Sequence, residues 1–330
     1  MSTARTAGLA PVAPSPAQPR PTRRERAGKL DAAVSPYLYV APFFLLFALI
    51  GLFPLLYTAF VSVHQWHTIG GEGAFVGLKN FADVLHQRFF WVGLRNTVSI
   101  FLLSSVPQVI TAIFVAAILN ANLRTKTFWR MGVLFPYVIA PVAISLIFGR
   151  MSAQEYGLVN YVLGNVGIAP VGWHSEPFAA HVAIASMINF RWTGYSALIF
   201  LAAMQAIPTE LYEAAIVDGA SRWRQFWSVT VPQLRPTIIL IIIVSTIGGL
   251  QVFDEPLLYD QEGYGGNDRQ WMTVTMYIYE LGWGNQHNFG RAAAAAWLLF
   301  LVVVVLALAN FAITRRIASA DSGPRRKRVP

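Results

Sequence analysis

The stretch AAAAAWLLFLVVVVLALANFAI, residues 292–313, holds one strongly polar side chain, Asn310, in 22 residues. At ~1.5 Å rise per residue, such a run crosses the ~30 Å hydrocarbon layer of a bilayer as one helix. Working outward from it, five further runs have the same character: 38–60, 98–119, 131–149, 179–204 and 238–253. They are continuously apolar and lack the alternation of barrel strands, so helices are the expected solution. The sequence therefore predicts an all-α integral membrane protein with six transmembrane helices. Kinks are expected at Pro42, Pro54, Pro107, Pro136 and Pro141, which lie inside the runs.

Composition agrees with this class. Of 330 residues, 55% are apolar or aromatic and 12% charged, about half the charged share of a soluble domain. The net charge of +9 raises the question of nucleic acid, and the placement of the charges answers it. With a cytoplasmic N-terminus, 18 of the 25 basic residues fall on the cytoplasmic face, among them Arg23, Arg24, Arg124, Arg130, Arg222, Arg235 and Arg315. This is the positive-inside pattern. It puts both termini in the cytoplasm and gives the basic tails anionic lipid headgroups, not DNA, as partners. The first run is too long and too far from residue 1 for a cleaved signal peptide. Without cysteine there are no disulfides and no thiolate metal sites.

Three regions are expected: a disordered cytoplasmic tail over 1–35, rich in Ala, Pro and Arg; a transmembrane domain over 36–316; and a basic cytoplasmic tail over 317–330. The segment 64–95 is too apolar for a free loop and suggests a short amphipathic helix with Asn80 as its N-cap. In the segment 255–289, Gly263, Gly265 and Gly266 suggest a turn. His64 and His67 have no carboxylate nearby and are read as boundary residues, not metal ligands. No G-x-x-x-x-G-K-[ST] phosphate loop occurs, so energy from nucleotide must come from another subunit. No catalytic constellation or cofactor motif stands out.

The loop 207–236 is built differently from a connector. Thr209 suits an N-cap, and Glu210 and Glu213 are expected in the first turn, where acidic groups favour a helix N-terminus. Asp218 and Gly219 mark a turn, and Ser221 can cap a second helix. Trp223, Phe226 and Trp227 fall on one face of it, Pro232 is expected to end it, and Pro236 suits the first turn of span five.

Glu213-Ala214-Ala215, three residues, Gly219, nine residues, then Val229-x-Val231-Pro232 resembles the EAA signature of binding-protein-dependent ABC importer permeases. Val229 and Val231 stand where that family usually has Ile and Leu. The stretches 37–42, 53–57, 251–254 and 290–294 are similar to the carbohydrate-uptake branch related to the larger maltose permease subunit. The resemblance, over 37–316, implies the type I ABC importer permease fold in a bacterial cell membrane. Its implied partners are a second permease, two ATP-binding subunits and an extracytoplasmic sugar-binding protein. It also implies that Glu210, Glu213, Ala214, Ala215, Asp218, Gly219 and Pro232 form the coupling element seated on the ATPase. Arg191-Trp192-Thr193-Gly194-Tyr195 and Phe253-Asp254-Glu255-Pro256 look like permeases for cellobiose and other β-glucosides.

Polar groups inside spans are unfavourable without a partner. Asn189, Arg191, Trp192 and Tyr195 in span four, with Gln251 and Asp254 in span five, are therefore the candidate substrate-binding residues. Trp192 and Tyr195 offer ring faces and Asn189 and Gln251 bond hydroxyls, unless each serves only neighbouring helices. Arg191 should pair with Asp254 or Glu255, or face an aqueous cavity. Gly248-Gly249 marks close helix packing or a bend. The alternatives are an ion-coupled secondary transporter, a membrane-bound enzyme, or an ABC permease for another solute such as glycerol 3-phosphate.

Overall fold

Prolines recur inside the first helices of the chain. In the computed structural model, residues 23–67, 70–121, 124–260 and 263–320 are described. Helix α1 (Arg23–Leu46) carries Pro36 and Pro42 internally and passes into a π-helical segment, Phe47–Leu52, and then α2 (Phe53–Ser62). In the wide turn the Phe53 N–H bonds to the Ala48 carbonyl, which shifts the register just before Pro54, a residue without an N–H to donate. Most apolar side chains from Tyr37 to Phe53 are exposed, as a lipid-facing surface requires. Disorder was expected to Ser35, but the chain is helical from Arg23; residues 1–22 of that tail lie outside the described residues.

The chain divides into two units after Tyr57. The second takes in the end of α2 and then a hairpin that hydropathy does not signal: β1 (His64–His67) pairs antiparallel with β2 (Gly71–Phe75), with a bulge between His64 and Trp66. Helix α3 (Lys79–His86) follows. Its N-cap is Leu78, not Asn80. Asn80 is buried and its amide donates to the carbonyls of Ser62 and His64, both at 2.8 Å, so it fastens α3 under the hairpin.

Helix α4 (Arg88–Asn120, 33 residues) takes in residues 88–95 of the segment expected to lie outside the second span and is ~50 Å long. Span three is broken: α5 (Lys126–Val138) and α6 (Pro141–Met151) meet at 87°. Pro141 starts α6 because its fixed φ suits a first turn and its missing N–H would be unpaired there anyway. After α7 (Leu158–Asn165), α8 (Pro177–Gln205) packs along α4. The loop holds α9 (Thr209–Val217), α10 (Arg222–Gln225), a π-helical turn (Phe226–Thr230) and α11 (Val231–Gln233). Span five is α12 (Arg235–Leu250), with Pro236 in its first turn as expected, then an unwound Gln251–Phe253 and the short α13 (Asp254–Leu257). Helices α14 (Val274–Trp283) and α15 (Phe289–Ala320) complete the chain; residues 321–330 of the basic tail lie outside the described residues.

Among the described residues, four helices are long and apolar enough to cross a membrane, and five if α5–α6 counts as one span. The expected span four, α8, is not among them. Asn189, Arg191, Thr193, Tyr195 and Ser196 dilute its apolar character, yet Ala180, Ile184, Met187, Phe200 and Leu201 are buried against neighbours. Buried clusters follow α4 from end to end. Ile100 joins Ile144, Ile184 and Trp271, and further along the helix Ala112 and Ala116 join Phe200, Leu234 and Ile241. Asn310, the polar exception in the last span, donates to Thr246 Oγ1 at 3.2 Å, satisfying both spans within the bundle.

Candidate functional site

The loop between α8 and α12 is a pair of short helices locked by their own caps. Helix α9 starts one residue earlier than a Thr209 cap implies: Pro208 is the N-cap and Thr209 is already helical. Glu210 lies in the first turn; Glu213 falls in the second. At the C-terminus, the Gly219 N–H bonds to Ile216 O (2.9 Å) and the Ala220 N–H to Ala215 O (2.8 Å). With Gly219 at φ +74°, this is a Schellman termination, which only a residue tolerant of left-handed φ makes without strain. Ser221 caps α10 as expected, accepting from the Arg224 N–H. Pro232 does not end this helix. The Phe226–Thr230 π-turn precedes it, with the Val231 N–H on Phe226 O, and the helical path continues toward α12.

Trp223, Phe226 and Trp227 contact one another with centroids 5.2 to 6.0 Å apart, and Phe226 stacks on Phe114 of α4 at 5.7 Å. Tyr212 of α9 hydrogen-bonds Thr230 at 2.9 Å. Glu213, Ala214, Asp218 and Gly219 stay exposed, as do Leu211, Ile216 and Val217. These contacts tie the pair to α4 and to the turn leading into α12, and its exposed face mixes acidic, basic and apolar side chains, Arg222 and Arg224 among them.

The second site is a cavity of about 330 Å³ between α4, α8 and α12, at the low end of small-molecule pockets (~300–1,000 Å³). Of the six residues expected to bind substrate, Arg191, Trp192 and Tyr195 line it; Asn189, Gln251 and Asp254 do not. Asn189 turns its amide onto the Ala185 carbonyl. Gln251 caps the C-terminus of α12 and is exposed, as is Asp254 at the start of α13. Arg191 pairs with Glu255, one of the two expected partners, and also borders the cavity. Glu255, expected in the loop beyond span five, is 4% exposed because α13 folds it back against α8. The Arg191 guanidinium lies 5.8 Å from the Trp192 ring, and its Nε is buried without a partner.

Residues that the sequence reading passed over complete the wall. Gln108, buried in α4 beside Pro107, donates to Ser196 Oγ at 2.9 Å and to Trp192 O, and accepts from Ser245 of α12 at 3.4 Å. A Gln inside an apolar run was the available signal. Tyr137 of α5 stacks on Tyr195 at 4.9 Å, steadying that ring. Gly249 allows Phe101 to approach: a Cβ there would stand 2.7 Å from the ring, so close packing is its role, whereas Gly248 faces open space.

At one end of the cavity, Val252, Tyr259 and Trp271 form a buried layer. His174 stacks on Tyr259 at 4.3 Å, and the Tyr259 hydroxyl bonds Ser152 at 3.0 Å and the Trp173 carbonyl. Burial pushes the Tyr259 hydroxyl up to about 12 and lowers His174 from its ordinary value. Gly263, Gly265 and Gly266 all have positive φ, as the turn reading required. Asp83 anchors α3 to Arg291 at 2.9 Å. Burial pushes its carboxyl up, but the bond and charge of Arg291, with Lys79, outweigh this and hold it below the usual range. Among the described residues, no group of three His, Asp or Glu is placed to hold a metal ion.

The chain is similar to known proteins along most of its length. The profile described as "Binding-protein-dependent transport system inner membrane component" matches residues 73–319. The chain is 37% identical to the lactose transport system permease protein of Rhizobium radiobacter, over 86% of this chain and 94% of that one. It is 32% identical to the trehalose/maltose transport system permease protein of Thermococcus litoralis, over 84% and 93%. In fold, it is similar to a chain of the bacterial alginate ABC transporter solved with its pentasaccharide-bound periplasmic protein, with a TM-score of 0.73, 23% identity, and coverage of 90% of this chain and 98% of that one.

Proposed function

We propose, because this chain belongs to the family of binding-protein-dependent transport system inner membrane components, that it is a pore-forming permease subunit of an ATP-driven sugar importer. The observation that carries the reading is the match to sugar permeases along nearly the whole chain. It is supported by the rigid α9–α10 pair, whose exposed face suits an external ATPase. ATP hydrolysis resides in a separate subunit, and solute passes by alternating access without covalent chemistry.

The finer topology has six spans: α1–α2, α4, α5–α6, α8, α12 and α15. Helix α8 crosses despite its polar stripe because that stripe faces protein and cavity instead of lipid. The positive-inside charge distribution puts both termini and the α9–α10 pair in the cytoplasm. The assembly pairs this chain with a second permease, two ATP-binding subunits and an extracytoplasmic sugar-binding protein. Movement of the ATPase dimer displaces α9–α10 as one body and tilts α8 and α12, which biases two states of the pore. Trp192 and Tyr195 contact the sugar, while Arg191 borders the cavity with its charge held by Glu255. Asn189, Gln251 and Asp254 support the helix packing and the α12–α13 break. A β-glucoside such as cellobiose is the substrate favoured by the 191–195 and 253–256 stretches.

Reconstitution of the four components in proteoliposomes tests this. Sugar uptake that needs ATP and the binding protein is expected, with the ATPase lost from purified complex in Glu213→Lys. Uptake by the isolated chain driven by a proton or sodium gradient would instead establish a secondary transporter.

A further inference from the structure

Of the residues lining the cavity, only Arg191 and Glu255 carry charge, and they are paired. Their side chains are 13% and 6% exposed, so water does little to screen either one. Every other polar side chain on the wall is uncharged: Ser105, Gln108, Trp192, Tyr195, Ser196 and Ser245. Arg191 arises in the middle of α8 and Glu255 comes from α13, beyond the unwound end of α12. The chain breaks a span to bring that carboxylate back.

A lone buried guanidinium would make the cavity a site for anions, since an anionic solute would supply the missing counter-charge. With Glu255 in place, that demand is already met inside the protein. An anionic sugar would then meet the carboxylate and have to leave its hydration without compensation; a cationic sugar would meet the guanidinium in the same way. A neutral glycoside meets only rings, hydroxyls and one amide.

We propose that Glu255 is the charge-selectivity residue of this permease: by neutralising Arg191 in the cavity wall, it restricts the translocated solute to uncharged glycosides. The proposal rests on the sugar-importer reading and adds to it a solute class and a determinant.

The test uses the full complex of both permeases and both ATPases in nanodiscs, without the binding protein, so that the cavity alone selects. Equilibrium binding is measured for lactose, maltose and cellobiose, for their uronic acid counterparts, and for the glucosamine disaccharide. Wild type should bind a neutral disaccharide and discriminate against its uronate. Glu255→Gln should tighten uronate binding at least about tenfold, the scale of one unsatisfied ion pair reduced by solvation. The double variant Arg191→Gln/Glu255→Gln should keep neutral binding and lose that gain. A Glu255→Gln complex with no gain, or a double variant with the same gain, overturns the proposal. If Glu255→Gln does not assemble, Arg191→Gln decides, because the unpaired carboxylate should then tighten the protonated glucosamine disaccharide, and no tightening overturns the proposal. Wild type that binds no sugar removes the importer reading and this proposal with it; wild type that binds a neutral sugar while the variants shift nothing removes only the charge assignment.

Discussion

The Tyr212 hydroxyl lies 2.9 Å from Thr230 Oγ1 and joins α9 to the π-turn that leads into α12. This is the one side-chain hydrogen bond described between the first helix of the loop and the turn after the second. If α9–α10 moves as a rigid lever, the bond transmits force from α9 to span five. Its net worth is ~0.5–1.5 kcal/mol, or ~2–10-fold in the population of the locked pair. Tyr212→Phe should therefore assemble normally and hydrolyse ATP, while sugar imported per ATP falls ~2–10-fold. Paired uptake and phosphate-release assays on one preparation measure that ratio, and an unchanged ratio would show the bond to be dispensable.

Gly219 supplies a cleaner test, because sterics and backbone are separable there. A Cβ at this position meets nothing within 4 Å, so any cost comes from φ +74° alone. For an ordinary L residue, the left-handed conformation costs ~1–2 kcal/mol; Asn tolerates it better and β-branched residues worse. Coupled uptake should rank Gly above Asn, Asn above Ala, and Ala above Val at position 219. Gly219→Asp shares the backbone tolerance of Asn but adds a charge to the exposed face, and through that charge it should insert into the membrane yet uncouple uptake from hydrolysis. A flat series would mean that the Schellman turn plays no part in transmission.

The sequence showed this loop more clearly than it showed the cavity, for a geometric reason. Gly219 and Ser221 act through local backbone chemistry, which is written at short range. Cavity residues act through facing. At ~100° per residue, Asn189 points ~200° away from Arg191, whereas Ile188, Trp192 and Tyr195 share the Arg191 side. Helical phase thus separates Asn189 from the group once Arg191 is taken as reference. Gln251 and Asp254 were misplaced because continuous hydropathy hides the break at Gln251–Phe253, and that break also brings Glu255 inward. The hairpin His64–Phe75 was missed because Gly71, Glu72 and Gly73 have no strand-like alternation; the Asn80 amide holds it from below.

Two glycines of spans four and five should respond oppositely to the same methyl group. At Gly194, a Cβ would stand 1.8 Å from the Val133 carbonyl oxygen and 2.7 Å from its carbon, a backbone obstacle that no rotamer relieves. Gly194→Ala should push α8 from α5 and cost at least the ~1–3 kcal/mol of an overpacked core, with a lower melting temperature of the purified complex. At Gly248, a Cβ meets nothing within 4 Å, and Ala is the better helix former by ~1 kcal/mol. Gly248→Ala should melt at or above wild type. Equal losses at both sites would contradict the packing described for α5 and α8.

Acidity should loosen the layer beyond the cavity through His174. Burial lowers its pKa, opposed by hydrogen bonding and by the charge of Asp260, so the folded state holds the imidazole neutral where a free one takes a proton. The sign follows directly: below an ordinary pKa of ~6.5 the opened segment binds the proton more readily, so stability falls as pH drops from there through the lowered folded value. The stacked Tyr259 ring and the Trp271 beneath it should then open more often. Hydrogen exchange over 258–273 at pH 7.5 and 5.0, corrected for intrinsic rates, should show protection lost in acid for wild type and retained in His174→Gln. Protection that increases in acid would reverse the sign and place the His174 proton on the folded side.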